Sequence, residues 1–217
     1  MFLYGVTILL AAFLLFQVQP LIAKMILPWF GGASSVWSAC MLFFQAVLLG
    51  GYLYAHWLHE KLGPRRQALV HSALIAASLL LLPPVPDASW KGVGVTNPEW
   101  RILGLLAVTI GLPYFLLSTT SPLVQTWYAR THGAIPYRLY ALSNAGSMLG
   151  LVTYPVVIEP RFAVATQATV WSVAYGLFAV LSLIAAWRSV RGRVEKAAAA
   201  LDPPPDNAPG WGLRVLW

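Results

Sequence analysis

The stretch MFLYGVTILLAAFLLFQVQPLIA, residues 1–23, contains no Asp, Glu, Lys or Arg. About 20 apolar residues wound as a helix cross the hydrocarbon core of a bilayer. Five further runs are equally free of charge, at 25–59, 67–86, 102–129, 139–158 and 162–187, and none is shorter than 20 residues. Across the 217 residues, 59% are hydrophobic and only 10% charged, where a soluble domain carries about 25% charge. A soluble fold would have to bury six apolar helices beneath very little remaining sequence. The reading is an all-α polytopic membrane protein with six transmembrane helices.

Helices follow because lipid offers no partner for free backbone N–H and C=O groups. The expected spans are about 2–24, 35–59, 66–83, 100–121, 138–158 and 163–187, forming one bundle over 1–187. Pro28-Trp29-Phe30-Gly31-Gly32 ends the first span, Pro83-Pro84-Val85-Pro86 the third, and Pro160 closes the fifth. Ser34 or Ser35 is placed to cap the second helix. The longest loop, 84–99, holds Trp90, Asn97 and Pro98 and no second domain. In span 4, Pro113 and Ser118-Thr119-Thr120-Ser121-Pro122 mark either a hinge or the helix end, and the span is drawn to 121. No short repeat is apparent.

Positive side chains fix the orientation. With six spans, Lys61, Arg65, Arg66, Arg130, Arg138, Arg188, Arg191, Arg193, Lys196 and Arg214 share a face with both termini. Lys24, Lys91, Arg101 and Arg161 lie on the other. Both termini are therefore expected in the cytoplasm, with the chain in the bacterial inner membrane. Residues 188–217 read as a basic, Pro-rich cytoplasmic tail whose Arg188–Lys196 segment suits anionic headgroups. Its last stretch, Trp211–Trp217, is apolar again and looks like the start of a further element, so a piece of a longer protein is one reading of the chain.

Composition also excludes functions. The single cysteine, Cys40, permits no internal disulfide, and no Cys/His grouping resembles a zinc site. His56 and His59 share a face but supply only two ligands, so no metal site is expected. The net charge of +7 sits beside spans, where it reports orientation rather than nucleic-acid binding. The N-terminus lacks a basic segment, and Gln17, Gln19 and Pro20 stand where a cleavage site would need small residues. It reads as a retained first helix.

The turn between spans 2 and 3 runs His59-Glu60-Lys61-Leu62-Gly63-Pro64-Arg65-Arg66. An acid, a base, a glycine and two arginines suit a tight cytoplasmic turn. Glu60 can pair with an arginine or face a helix N-terminus, and Gly63 lets the backbone reverse. The pattern of Glu60, Lys61, Gly63, Arg65 and Arg66 resembles the signature loop of major facilitator transporters. Glu60 stands for the usual Asp, and Pro64 is an extra residue.

A broader likeness covers nearly all of 10–190. Phe16-Gln17-Val18-Gln19-Pro20-Leu21-Ile22-Ala23-Lys24, Leu27-Pro28-Trp29-Phe30-Gly31-Gly32, Cys40-Met41-Leu42-Phe43-Phe44-Gln45, Tyr140–Ser147 and Tyr154–Pro160 resemble the N-terminal membrane half of fused major facilitator/spermidine synthase-like membrane proteins. The resemblance implies one half of a major facilitator bundle. In that family more spans and an aminopropyltransferase-like soluble domain follow, and these residues hold neither. Without a Gly-rich strand–turn–helix for a nucleoside or a nucleophile–base pattern, no cofactor and no enzymatic activity are expected.

Polar residues inside spans are the default functional candidates, because they are costly in lipid. Gln17, Gln19, Gln45 and Asn144 are the candidate solute-binding residues. They either line a cavity or bond neighbouring helices. Lys24 and Glu159 share the outer face. Ser143, Gly146, Ser147 and Gly150 offer small residues four apart, a flat face on which another helix packs closely. The expected function is a transporter-like module that binds, passes or presents a small solute, polyamine-like by resemblance only. Its partners would be the lipid bilayer and a second membrane half, another copy or a larger complex. The alternative is a non-transporting scaffold subunit.

Overall fold

The computed structural model describes residues 1–91, 98–132 and 137–199. The Pro-rich segment and the apolar stretch at 200–217 lie outside the described residues, as do Asn97 and Arg214. Among the described residues the regular structure is entirely helical, as the apolar runs require. Six rods succeed one another: α1 (Phe2–Phe30), α2 (Ser34–Lys61), α3 (Pro64–Leu79), α4 (Pro98–His132), α5 (Tyr137–Arg161) and α6 (Val164–Ala199). Five of them are long and apolar enough to cross a membrane, the exception being α3. The architecture is compatible with a multi-pass membrane protein.

Several ends differ from the sequence expectation, each for a local reason. The third helix, expected to reach 83, stops at Leu79 after 16 residues. At 1.5 Å per residue that is about 24 Å, against about 30 Å of hydrocarbon. Proline disfavours the α conformation in the residue before it, so the approach to Pro83-Pro84 leaves the helix. Leu80, Leu81 and Leu82 form tight three-residue turns instead. The first helix passes Lys24 and runs to Phe30. It ends at Gly31, whose φ of +79° suits glycine, and whose N–H bonds to Leu27 O. Neither serine caps α2: Ala33 occupies the boundary and no side chain bonds there. The sixth helix continues past 187 to Ala199, so the basic segment begins as helix.

The largest difference is in α4, which does not end at 121. Pro122 lies inside the helix. It costs one backbone bond, but the turn beyond it buries Leu123, Val124 and Trp127, and that packing holds the helix together. Wider π turns occur at Ala107–Gly111 in α4 and Tyr154–Ile158 in α5. Each precedes a proline, Pro113 or Pro160. A proline ring clashes with the carbonyl four residues back, here Thr109 and Val156, and both lie within the widened turns.

The helices pair in an ordered way. α1 packs on α5, α4 and α6; α4 packs on α2, α3 and α6; and α3 packs on α6. Exchanging α1 with α4, α2 with α5 and α3 with α6 turns the α1–α5 pairing into α4–α2, and α1–α6 into α4–α3. The α1–α4 and α3–α6 pairings map onto themselves. Only α4–α6 lacks a counterpart among the substantial contacts. A sequence echo accompanies the exchange: Gln19-Pro20-Leu21-Ile22 in α1 and Ser121-Pro122-Leu123-Val124 in α4, with all four aliphatic residues buried. Large apolar side chains such as Leu42 and Leu53 on α2, Val156 on α5 and Val173 on α6 are left exposed, as a lipid solvent permits.

Candidate functional site

Where α1, α2, α4 and α5 converge, a small cavity of about 90 Å³ opens against Ile8, Ala11, Ala12, Leu15 and Phe16 of α1. Its polar lining is Tyr52 from α2, Ser118 and Ser121 from α4, and Ser143 and Ser147 from α5. Gly51 lets α2 approach: a Cβ there would lie 1.9 Å from Ser118 Oγ. Ser118 donates to Phe115 O at 2.6 Å and Ser147 to Ser143 O at 3.0 Å. Ser121 Oγ accepts from Gln125 Nε2 at 2.9 Å. A hydroxyl oxygen has two lone pairs, so each keeps acceptor capacity toward the cavity. The lining carries no charged side chain.

The four candidate amides do not meet at this cavity. Gln17 is buried and donates across to α5, to Gly150 O at 2.8 Å and Thr153 Oγ1 at 2.9 Å. Gln19 donates to Tyr114 Oη at 3.0 Å on α4. Gln45, on α2, and Asn144, on α5, are exposed. The small residues of α5 divide by face. Gly146 and Gly150 lie against α1, where an added Cβ would come within 2.5 Å of Leu9 O and 2.8 Å of Phe13 O. Ser143 and Ser147 line the cavity instead.

At the α2–α3 turn, Glu60, Lys61, Arg65 and Arg66 are exposed, and Glu60 lies 3.7 Å from His56. Gly63 has φ −68° and ψ 159°, extended backbone open to any residue, so the reversal there does not depend on glycine. The residue that organises this end is Gln67, which the sequence reading did not single out. Fully buried, it donates to Leu58 O at 2.9 Å and Leu62 O at 2.7 Å, closing the C-terminus of α2. Its carbonyl accepts from Arg130 Nη1 at 3.0 Å and, more distantly, Trp127 Nε1 at 3.4 Å. Arg130 also contacts the His59 ring. The available signal was an uncharged amide in the first turn of a helix opened by Pro64.

At the opposite end, Lys24 Nζ lies 3.1 Å from Glu159 Oε1, which gives the charge in α1 a partner. Arg101 binds the loop before α4 by its carbonyls, Ser89 O at 2.8 Å and Trp90 O at 2.9 Å. Hydrogen bonds from Ser89 hold the Asp87 carboxyl below its ordinary range, and Lys91 sits 5.2 Å over the Trp29 ring. A second, larger cavity of about 240 Å³ lies between α1, the π turn of α5 and the start of α6.

Comparisons with family models, with curated proteins and with solved structures find no match for this chain.

Proposed function

We propose that this chain is a six-helix, transporter-like module of the bacterial inner membrane, resembling one half of a major facilitator bundle, with both termini cytoplasmic. The pairing map carries the reading. Its self-correspondence under exchange of the first and second groups of three helices is what a 3+3 inverted repeat produces, and such repeats are nested in each six-helix half of these transporters. The echoed Pro20 and Pro122 support the same relation. On this reading α3 completes the sixth crossing, its shortness made up by the turn that follows it.

The module binds, passes or presents a small solute at the hydroxyl-lined cavity. Ligand pockets usually occupy about 300–1,000 Å³, so a cavity of about 90 Å³ is a half-site that a second membrane half, either another copy or another chain, would complete. The exposed Gln45 and Asn144 belong to such a contact, because an amide facing lipid lacks hydrogen-bond partners. The polyamine-like cation implied by resemblance has no carboxylate to meet in this lining. Tyr and Ser hydroxyls suit an uncharged polar solute, and no catalytic step is involved.

Proteoliposome flux of small polyols, amides and amines tests the reading. Uptake of an uncharged solute should be strongly reduced by Ser147→Phe, which fills the cavity, and retained by Ser172→Ala elsewhere. The second reading, a non-transporting scaffold subunit, is favoured by Gln17 and Gln19, whose amides are spent on neighbouring helices. Absence of flux with any partner, together with stable co-extraction in a larger complex, would replace the first reading by the second.

A further inference from the structure

The larger cavity stands apart from the central one. It is bounded by Phe13 and Leu14 of α1, the π turn of α5 at Tyr154 and Ile158, and Trp171 and Ala174 of α6. Along α1 its lining runs from Phe13 to Leu21, about 12 Å at 1.5 Å per residue, so the space is long in the direction of the helix axes. At one end lies Phe162, in the turn that joins α5 to α6. The surface is almost wholly apolar. Trp171 Nε1 is bonded to Leu14 O at 3.0 Å and Gln17 Nε2 to Gly150 O at 2.8 Å, while the buried Tyr154 Oη and Gln167 Oε1 present no surface to an occupant.

These walls select what can fill the space. A trapped water needs about two to four polar partners, and an apolar surface offers none. A helix about 10 Å across is too wide for about 240 Å³ drawn out over that length. Left empty, the void forfeits dispersion contacts all along its lining. An engineered apolar cavity of about 150 Å³ takes up benzene, and on that scale about 240 Å³ holds about ten carbons. Val170, which lines the cavity, is 60% exposed, and Val173, Leu177 and Val180 continue an exposed apolar face along α6. In a bilayer such a face is bathed in hydrocarbon chains, which are therefore the molecules at the mouth. Glu159 and Arg161 are exposed just before Phe162. Charged groups are costly in hydrocarbon, so this end of the cavity lies at headgroup depth.

We propose that this cavity holds one acyl chain of a bilayer phospholipid, which enters at the α5–α6 turn and lies along α1 and α6 with its tail toward Ala174. The chain fills a gap that no side chain of the described residues fills, and so acts as part of the packing between α1, α5 and α6. The inference rests on the protein spanning a bilayer and is independent of any transported solute.

The test is photo-cross-linking of the full chain in vesicles of phosphatidylethanolamine and phosphatidylglycerol, doped with a phosphatidylcholine that carries a diazirine at the middle of one acyl chain. Adducts are mapped by mass spectrometry of peptides. Exposed Leu177 and Val180 should be labelled by bulk lipid, which reports that the protein is embedded. Leu14 and Trp171, only 1% and 4% exposed, should be labelled as well, because the inserted chain lies against them. Ala174→Phe, which fills the cavity, and Val170→Trp, which covers its exposed edge, should each remove the Leu14 and Trp171 adducts and keep those at Leu177 and Val180. Adducts confined to the exposed residues would overturn the proposal and leave the cavity to a side chain of a neighbouring protein. Labelling of Leu14 and Trp171 that survives both substitutions would overturn it too, since lipid would then reach them by another route. Absence of adducts even at Leu177 and Val180 would overturn the bilayer reading, and the proposal with it.

Discussion

The amide oxygen of Gln67 accepts a hydrogen bond from Arg130 Nη1 at 3.0 Å, joining the start of α3 to the end of α4. The same side chain closes α2 through two carbonyls. Three helices therefore meet on one uncharged residue.

Replacing that residue by an apolar one of similar size should be costly. Gln67→Leu takes the side-chain donor from Leu62 O and from Leu58 O, which keeps only the longer bond from the Leu62 N–H at 3.3 Å, and removes an acceptor from Trp127 and Arg130. Leaving a buried polar group unsatisfied costs about 1–3 kcal/mol. Loss of at least ~2 kcal/mol is expected by denaturant unfolding in detergent, whereas exposed Arg65→Ala should stay within about 0.5 kcal/mol. Equal effects would remove Gln67 from its role.

Glycines should respond according to what lies opposite them. Gly146→Ala puts a Cβ at 2.5 Å from the Leu9 carbonyl, a backbone atom that cannot rotate away, so α1 and α5 must separate. Overpacking of this kind costs about 1–3 kcal/mol. Gly176→Ala meets nothing within 4 Å, and should gain about 0.5–1 kcal/mol from helix propensity. Thermal unfolding of the two variants should move in opposite directions.

The Lys24–Glu159 pair should contribute little to stability despite its position in long helices. Its side chains are 38% and 44% exposed, and pairs of that kind are worth about 0–1 kcal/mol. A double-mutant cycle with Lys24→Met and Glu159→Gln should return a coupling below ~1 kcal/mol that shrinks with added salt. A larger, salt-insensitive value would mean that the pair is shielded from water.

Arg101→Ala should loosen the loop that precedes α4. Its guanidinium supplies charge-assisted bonds to Ser89 O and Trp90 O, each worth about 1.5–3 kcal/mol at most. Hydrogen exchange at 88–91 should quicken by at least about tenfold, with the helix cores unaffected. Unchanged exchange would show that the loop is held by other contacts, such as the Trp90 ring lying over Gly104, where an added Cβ would come within 3.3 Å of it.

Helical class is legible because apolar run length is a local property, and backbone polarity leaves a chain in lipid little alternative. Gly146 and Gly150 travel onto α1 together because residues four apart share a helix face in any fold. Proline at 122 reads as a stop because its cost is visible in sequence, while the burial of Leu123, Val124 and Trp127 that outweighs it is not. Gln17, Gln45 and Asn144 look alike as isolated amides in apolar surroundings. Their fates differ because neighbours separated by long stretches of chain decide which face is covered. Gln67 is hidden for the same reason: its importance lies in the ends of two other helices.

The widened turn at Ala107–Gly111 also governs how α4 should be drawn on a helical wheel. One supernumerary residue shifts everything after it by about 100° of azimuth relative to an unbroken α-helix. The section before the widened turn presents Ile102, Leu105 and Leu106 to the core and leans chiefly on α2. The section after it turns Leu116, Leu123 and Trp127 to the core and serves α1, α2, α3 and α6. A single wheel through 98–132 therefore superimposes two stripes and blurs both. Treated as two rods in different phase, the segment has a clear inner side at each depth, and one stretch of chain satisfies neighbours that a straight cylinder would reach with the wrong residues.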